Sequence, residues 1–148
     1  MSRPFRMFDA LARSTFAYAT VLFVVLFGPQ VVSEHQTATG PLISMFPDWI
    51  SLLGTPVVLY VAVRHAMAGH TDDRFQRGFA RGVAVSVIGG VLYGIGIAVI
   101  APGIFENRAF AWGVALLSPV FVAVIGSALS ALFAHLAVRG DATDAKPA

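Results

Sequence analysis

The sequence predicts an all-α membrane protein, a bundle of four transmembrane helices in two antiparallel hairpins with both termini on the cytoplasmic side. Three observations predict it. First, 57% of the 148 residues are hydrophobic and only 12% are charged, against about 25% charged in soluble domains. A compact soluble chain of this size has too little interior to hide so much apolar surface. Second, four runs approach the roughly 20 apolar residues that a helix needs to cross the hydrocarbon core. They are apolar on every side, whereas a barrel strand alternates in polarity. Third, the ten Lys and Arg residues sort with nine on one side of the spans and Arg108 alone on the other. The composition argues against an ordinary soluble enzyme and against a disordered chain. The absence of Cys excludes disulfides, thiolate catalysis and Cys-ligated metals. A net charge of +2, with basic residues flanking the spans and forming no stripe, gives no sign of a nucleic-acid partner.

The elements follow in order. The N-terminal piece SRPFRMFDALAR places Phe5 and Phe8 at helical spacing with arginines between them. It reads as a positive flank that orients the first span, with a short interfacial helix as the alternative. Span one runs from about Ser14 to Val32 through TVLFVVLFGPQVV. Its apolar region exceeds the usual 7–15 residues of a signal peptide, so it is expected to remain as a membrane helix. Span two runs from about Pro47 to Met67, span three from about Gly82 to Pro102, and span four from about Ala111 to Val138. The apolar interiors of all four lack Asp, Glu, Lys and Arg. Residues 1–139 thus form a single transmembrane domain, and the small, polar tail 140–148, GDATDAKPA, is expected to be disordered in the cytoplasm.

Topology comes from the positive residues. Arg3, Arg6 and Arg13 precede span one; Arg64, Arg74, Arg77 and Arg81 lie between spans two and three; Arg139 and Lys146 follow span four. The positive-inside rule puts these on the cytoplasmic side and the loops 33–46 and 103–110 outside. Trp49 and Trp112 then stand at the outer ends of spans two and four, where an aromatic belt belongs. Trp49, Leu53, Thr55, Pro56 and Val57 recur as Trp112, Leu116, Ser118, Pro119 and Val120 at an offset of 63, and Phe16-Ala17 as Phe79-Ala80. Two reasons for this remain open: a true hairpin repeat, or chance recurrence of belt aromatics and helix prolines.

Span three carries Gly82, Ser86, Gly90, Gly94 and Ala98 four apart. Small faces let helices approach closely in lipid, where little hydrophobic drive exists between them. Span four offers Ala115, Ala123, Ser127 and Ala131 at the same spacing, with Gly126, Ser130 and Ala134 beside them. Two complementary small faces in one chain favour packing of span three on span four, over homodimerisation through span three. Gly94-Ile95-Gly96 is no dinucleotide loop, because it lies mid-span with no strand before it.

Pro56 and Pro119 each remove a backbone donor and free the carbonyl four residues earlier, at Leu52 and Ala115. Both lie about 13 Å from the outer span ends. Thr55 and Ser118 precede them, and Tyr93 reads as lying at a similar depth, so Tyr93, Thr55 and Ser118 form a candidate midplane polar layer. With no charged member, repair of the proline kinks outweighs a binding site.

Other chemistry is sparse. His65 and His70 with Asp72 and Asp73 sit in the cytoplasmic stretch RHAMAGHTDDRFQRG, but without a recognised zinc-ligand spacing, and a solvated loop is the expectation. His135 lies near the inner end of span four, where it can meet the last carbonyls of the helix. His35 and Glu34 stand alone on the outer side. No nucleophile–base pair, phosphate loop or paired intramembrane carboxylate is present, so no catalytic, cofactor or metal residue is expected.

Phe75-x3-Phe79-x2-Gly82, followed by a Ser- and Gly-bearing apolar span, resembles a widespread family of bacterial inner-membrane proteins of about 150 residues, known only as a domain of unknown function. The resemblance implies four helices, a charged loop before the third and an inner-membrane location. Family members usually carry a longer outer loop between spans three and four than this chain does. The resemblance implies no activity and no site residues. The use of nine Arg against one Lys is compatible with a GC-rich bacterial genome. The functional expectation is a non-catalytic accessory or scaffold protein acting through helix packing, whose partners are the lipid bilayer and itself or another membrane protein. The alternatives are a small transporter or channel subunit for a neutral or lipophilic solute and, on the thin evidence of His65, His70, Asp72 and Asp73, a membrane enzyme.

Overall fold

The computed structural model describes residues 3–35, 46–68, 73–104 and 108–144, with side chains over 12–29, 49–68, 73–99, 109 and 112–140. The described residues are almost wholly helical and contain no strand. The helices are α1 (Arg3–His35), α2 (Phe46–Met67), α3 (Arg74–Ile104) and α4 (Arg108–Asp144). Windows within all four are long and apolar enough to cross a membrane: Ala12–Pro29, Trp49–Met67, Arg74–Val99 and Trp112–Gly140. This is the architecture of a multi-pass membrane helix bundle.

Each helix outruns its apolar core, because nothing in the flanking sequence stops it. The N-terminal piece is continuous with α1 from Arg3 onward, so it is no separate interfacial helix. At the other end α4 continues to Asp144. Residues 140–144, expected to be unstructured, therefore extend the helix; the next proline is Pro147, and a single Gly140 costs a helix only about 1 kcal/mol. α2 ends at Met67, with Ala68 N donating to Arg64 O at 3.1 Å. Asp73 then enters α3 with a positive φ of 61°, a left-handed conformation that Asp tolerates better than most residues.

Packing is uneven. α3 and α4 form the most extensive contact, α3 also meets α1 and α2, α2 meets α4 more sparsely, and α1 and α4 lie across the diagonal. α3 is accordingly the central helix. The buried side chains form three clusters along the bundle. Val63, Met67, Ala134 and Ala137 gather near the α2–α3 turn. Leu22, Val58, Leu59, Ala62 and Val85 fill the middle. Ile97 and Ala115, with Phe27 and Tyr93 against them, close the far end. Large apolar side chains also cover the outside, with Val99 74% and Leu116 72% exposed. In water such a surface would drive aggregation; against acyl chains it is the natural outer face of the bundle.

Candidate functional site

The α3–α4 contact is built from two Gly-x3-Ser units, Gly82–Ser86 and Gly126–Ser130. Each serine stands against the glycine of the other helix: a Cβ built on Gly82 would fall on the Ser130 hydroxyl, and one on Gly126 would fall on the Ser86 hydroxyl. Both serines are fully buried. Each donates to a carbonyl one turn earlier in its own helix, Ser86 to Gly82 O at 2.8 Å and Ser130 to Gly126 O at 2.6 Å. The hydroxyls are thereby satisfied within the helix and act across the interface as small knobs in glycine holes. Further along, a Cβ on Gly90 would come within 3.0 Å of Pro119 O, and one on Gly94 within 2.7 Å of Ala115 O. Residue numbers fall along α4 as they rise along α3, so the two helices run antiparallel.

Gly82, Ser86, Gly90 and Gly94 all lie buried, and Ala98 packs half-buried against the Ile97–Ala115 cluster. On α4 the glycines of α3 meet Gly126 and Ser130 through the serine pairs, and Ala115 and Pro119 beyond them. Ser127 and Ala131 are only half-buried, and the Ser127 hydroxyl donates to Ala123 O at 2.6 Å. Ser127 and Ala131 follow Gly126 and Ser130 by one residue, about 100° round the helix, and so turn off the seam.

The three hydroxyl residues expected in one layer each have their own contacts. The Thr55 hydroxyl donates to Ser51 O at 2.7 Å, and the Ser51 hydroxyl donates across to Val25 O of α1 at 3.0 Å. Ser118 donates to Ala115 O, the carbonyl freed by Pro119, over a long 3.4 Å. Tyr93 packs edge-on to Phe27, with ring centroids 6.3 Å apart. Tyr93 and Thr55 nonetheless line a common groove of about 510 Å³, open on one side, and Ser118 is not part of it. Residues of all four helices line the groove. Its walls are Pro56 and Leu59 of α2 and Phe121 and Ile125 of α4, and Ser86 and Tyr93 of α3 form its floor. No charged side chain lines it. Such a volume falls in the range of small-molecule sites, which run to roughly 300–1,000 Å³.

A second polar feature joins α1, α2 and α3 near the α2–α3 turn. The Tyr18 hydroxyl and His65 Nδ1 are hydrogen-bonded at 3.2 Å, with the rings edge-on at 5.9 Å. Arg81, only 6% exposed, donates through Nη2 to the Ser14 hydroxyl. His65 thus belongs to the last turn of α2 and not to a loop. This cluster escapes sequence reasoning because its members come from three helices with no shared motif. His70 and Asp72, like His35 and Glu34, lie outside the described side chains. Asp73 and His135 are exposed. Among the described residues no three His, Cys, Asp or Glu side chains come together.

The positions matched by the offset of 63 have unlike surroundings. Pro119 packs into the α3 glycines, whereas Pro56 lines the groove. Phe16 is exposed, while Phe79 packs on the cluster near the turn. No family model, curated protein or solved structure matches the chain.

Proposed function

We propose that this chain is a non-catalytic accessory or scaffold protein of the bacterial inner membrane that acts through helix contacts with the bilayer and with itself or another membrane protein. In this reading the helices form two antiparallel hairpins, with both termini and the α2–α3 turn in the cytoplasm. The positive-inside count and the placement of Trp49 and Trp112 support that orientation. One observation carries the functional reading: five serine and threonine hydroxyls inside the spans are spent on their own helix backbone. Thr55, Ser86, Ser118, Ser127 and Ser130 each donate to a carbonyl three or four residues earlier. An interior that uses its polar groups this way favours packing over chemistry, and an ionisable pathway would need partners that the spans lack. Nucleic acid has no place among the partners. The resemblance through Phe75, Phe79 and Gly82 supports the same architecture and location.

The test is photo-crosslinking in intact cells from the exposed positions Leu116, Phe121 and Leu136. Discrete adducts with one protein species, or with a second copy of the chain, support the reading. Catalytic turnover by the purified protein in liposomes overturns it. A second reading, a transporter or channel subunit for a neutral or lipophilic solute, is favoured by the groove reaching Tyr93. Protein-dependent solute flux across liposomes would select it.

A further inference from the structure

We infer that the groove between α2 and α4 is a binding site for the acyl chain of an ester lipid, with the ester carbonyl held by the Tyr93 hydroxyl. The inference goes beyond both functional readings, since binding requires neither a protein partner nor transport. It rests on the position, the lining and the hydroxyl inventory of the groove.

Position comes first. The groove lies within the membrane-crossing windows of all four helices, so its mouth opens onto acyl chains and not onto water. From Ser86 to Tyr93 it extends about 10 Å along α3, at 1.5 Å per residue. Ser51 marks the same end as Tyr93. It stands two residues from Trp49, about 3 Å of axial rise, and Trp49 is the residue assigned to the interfacial belt. The site therefore has an apolar part and a polar part, the latter marked by Ser51, Thr55 and Tyr93 on the side of Trp49. An acyl ester has the same asymmetry, with a hydrocarbon tail and a carbonyl just below the head group.

Lining comes second. Leu59, Ile125 and Leu129 line its apolar part, and no charged residue touches the groove. A phosphate or ammonium group has no counter-charge there, so any head group must remain outside.

The hydroxyls come third. Four line the groove: Ser51, Thr55, Ser86 and Tyr93. The first three donate their protons to Val25 O, Ser51 O and Gly82 O respectively. Among the described residues Tyr93 is the one lining hydroxyl whose proton goes to no acceptor in the protein. In a low-dielectric site a hydroxyl needs a partner. A carbonyl oxygen, which only accepts, is the complementary group.

The test uses full-length protein in nanodiscs and a phosphatidylcholine with a diazirine in its acyl chain, together with its ether-linked analogue, which lacks the carbonyl. Adducts of the ester lipid concentrated on Ile125 and Leu129, over the exposed control positions Val99 and Leu136, are the expected result. Tyr93→Phe is expected to weaken ester-lipid labelling about tenfold, the worth of one buried hydrogen bond, and to leave ether-lipid labelling unchanged. Ile125→Trp, which fills the groove from an outward-facing position, is expected to abolish labelling by both. A diazirine fatty-acid methyl ester forms the second arm. Labelling by the methyl ester alone assigns the site to esters without a head group, whereas labelling by both includes bilayer phospholipid. Uniform labelling of all lipid-facing positions overturns the inference. So does a Tyr93→Phe variant that loses both lipids equally or neither.

Discussion

Gly126→Ala is the sharpest test of the α3–α4 interlock. The added Cβ would land on the Ser86 hydroxyl. Ser86 is fully buried, and its hydroxyl is held on Gly82 O at 2.8 Å, so withdrawing costs it that bond. Overpacking of this kind costs about 1–3 kcal/mol, and displacing the hydroxyl adds about 1 kcal/mol. Replacing Gly by Ala returns about 1 kcal/mol of helix propensity. The net expectation is a loss of about 2 kcal/mol. Ser86→Gly alone removes the knob and leaves a small void, at about 1 kcal/mol. The double variant Ser86→Gly/Gly126→Ala restores the fit with the knob moved to the other helix. It should lie within about 1 kcal/mol of wild type, for a coupling energy of about 2 kcal/mol. The measurement is reversible unfolding of purified protein in mixed micelles by SDS titration. Gly113→Ala, where nothing lies within 4 Å of the added Cβ, is the control that shows the helix-propensity gain alone. If the two substitutions prove additive, or if Gly126→Ala behaves like Gly113→Ala, the knob-in-hole account is wrong.

Gly94→Leu meets Ala115 O and the Pro119 ring, so it should abolish folding as judged by gel filtration. A variant that stays folded and loses only a dimer would reassign the α3 face to self-association. Tyr18→Phe removes the hydroxyl bonded to His65 and should cost about 1 kcal/mol. In a His65→Ala background the same change should cost nothing, since the partner is already gone. A reporter fused after Lys146 should read cytoplasmic; a periplasmic signal would overturn the charge-based orientation.

The four spans are legible in the sequence because length and apolarity act on single segments and need no knowledge of neighbours. Gly82, Ser86, Gly90 and Gly94 are legible as a close-packing face for the same reason. On α4 Gly126 and Ser130 are legible as small residues too, but not as the pair that meets this face. Gly126–Ser130 and Ser127–Ala131 are both small pairs four apart, one residue out of phase, and only the crossing of the helices selects between them. Tyr93 and Thr55 are identifiable as polar residues within spans, but their shared groove depends on how all four helices pack, a property of helix axes and not of composition. Ser118 shows the opposite case: its local task beside Pro119 is readable from adjacency alone, and it takes no part in the groove. The Tyr18–His65 and Ser14–Arg81 contacts join residues 47 and 67 positions apart. No local pattern encodes such pairs.

The central place of α3 has a consequence for biogenesis. A chain made from its N-terminus releases α1 and α2 into the membrane before the helix on which both rest. Their mutual contact, anchored by Ser51 on Val25 O, must hold them during that interval. α4, which emerges last, then completes the tightest contact of all. Assembly is thus back-loaded: damage to the Gly–Ser interlock leaves an inserted but unlocked intermediate, with the glycine face of α3 exposed to lipid and to the proteases that survey the bilayer.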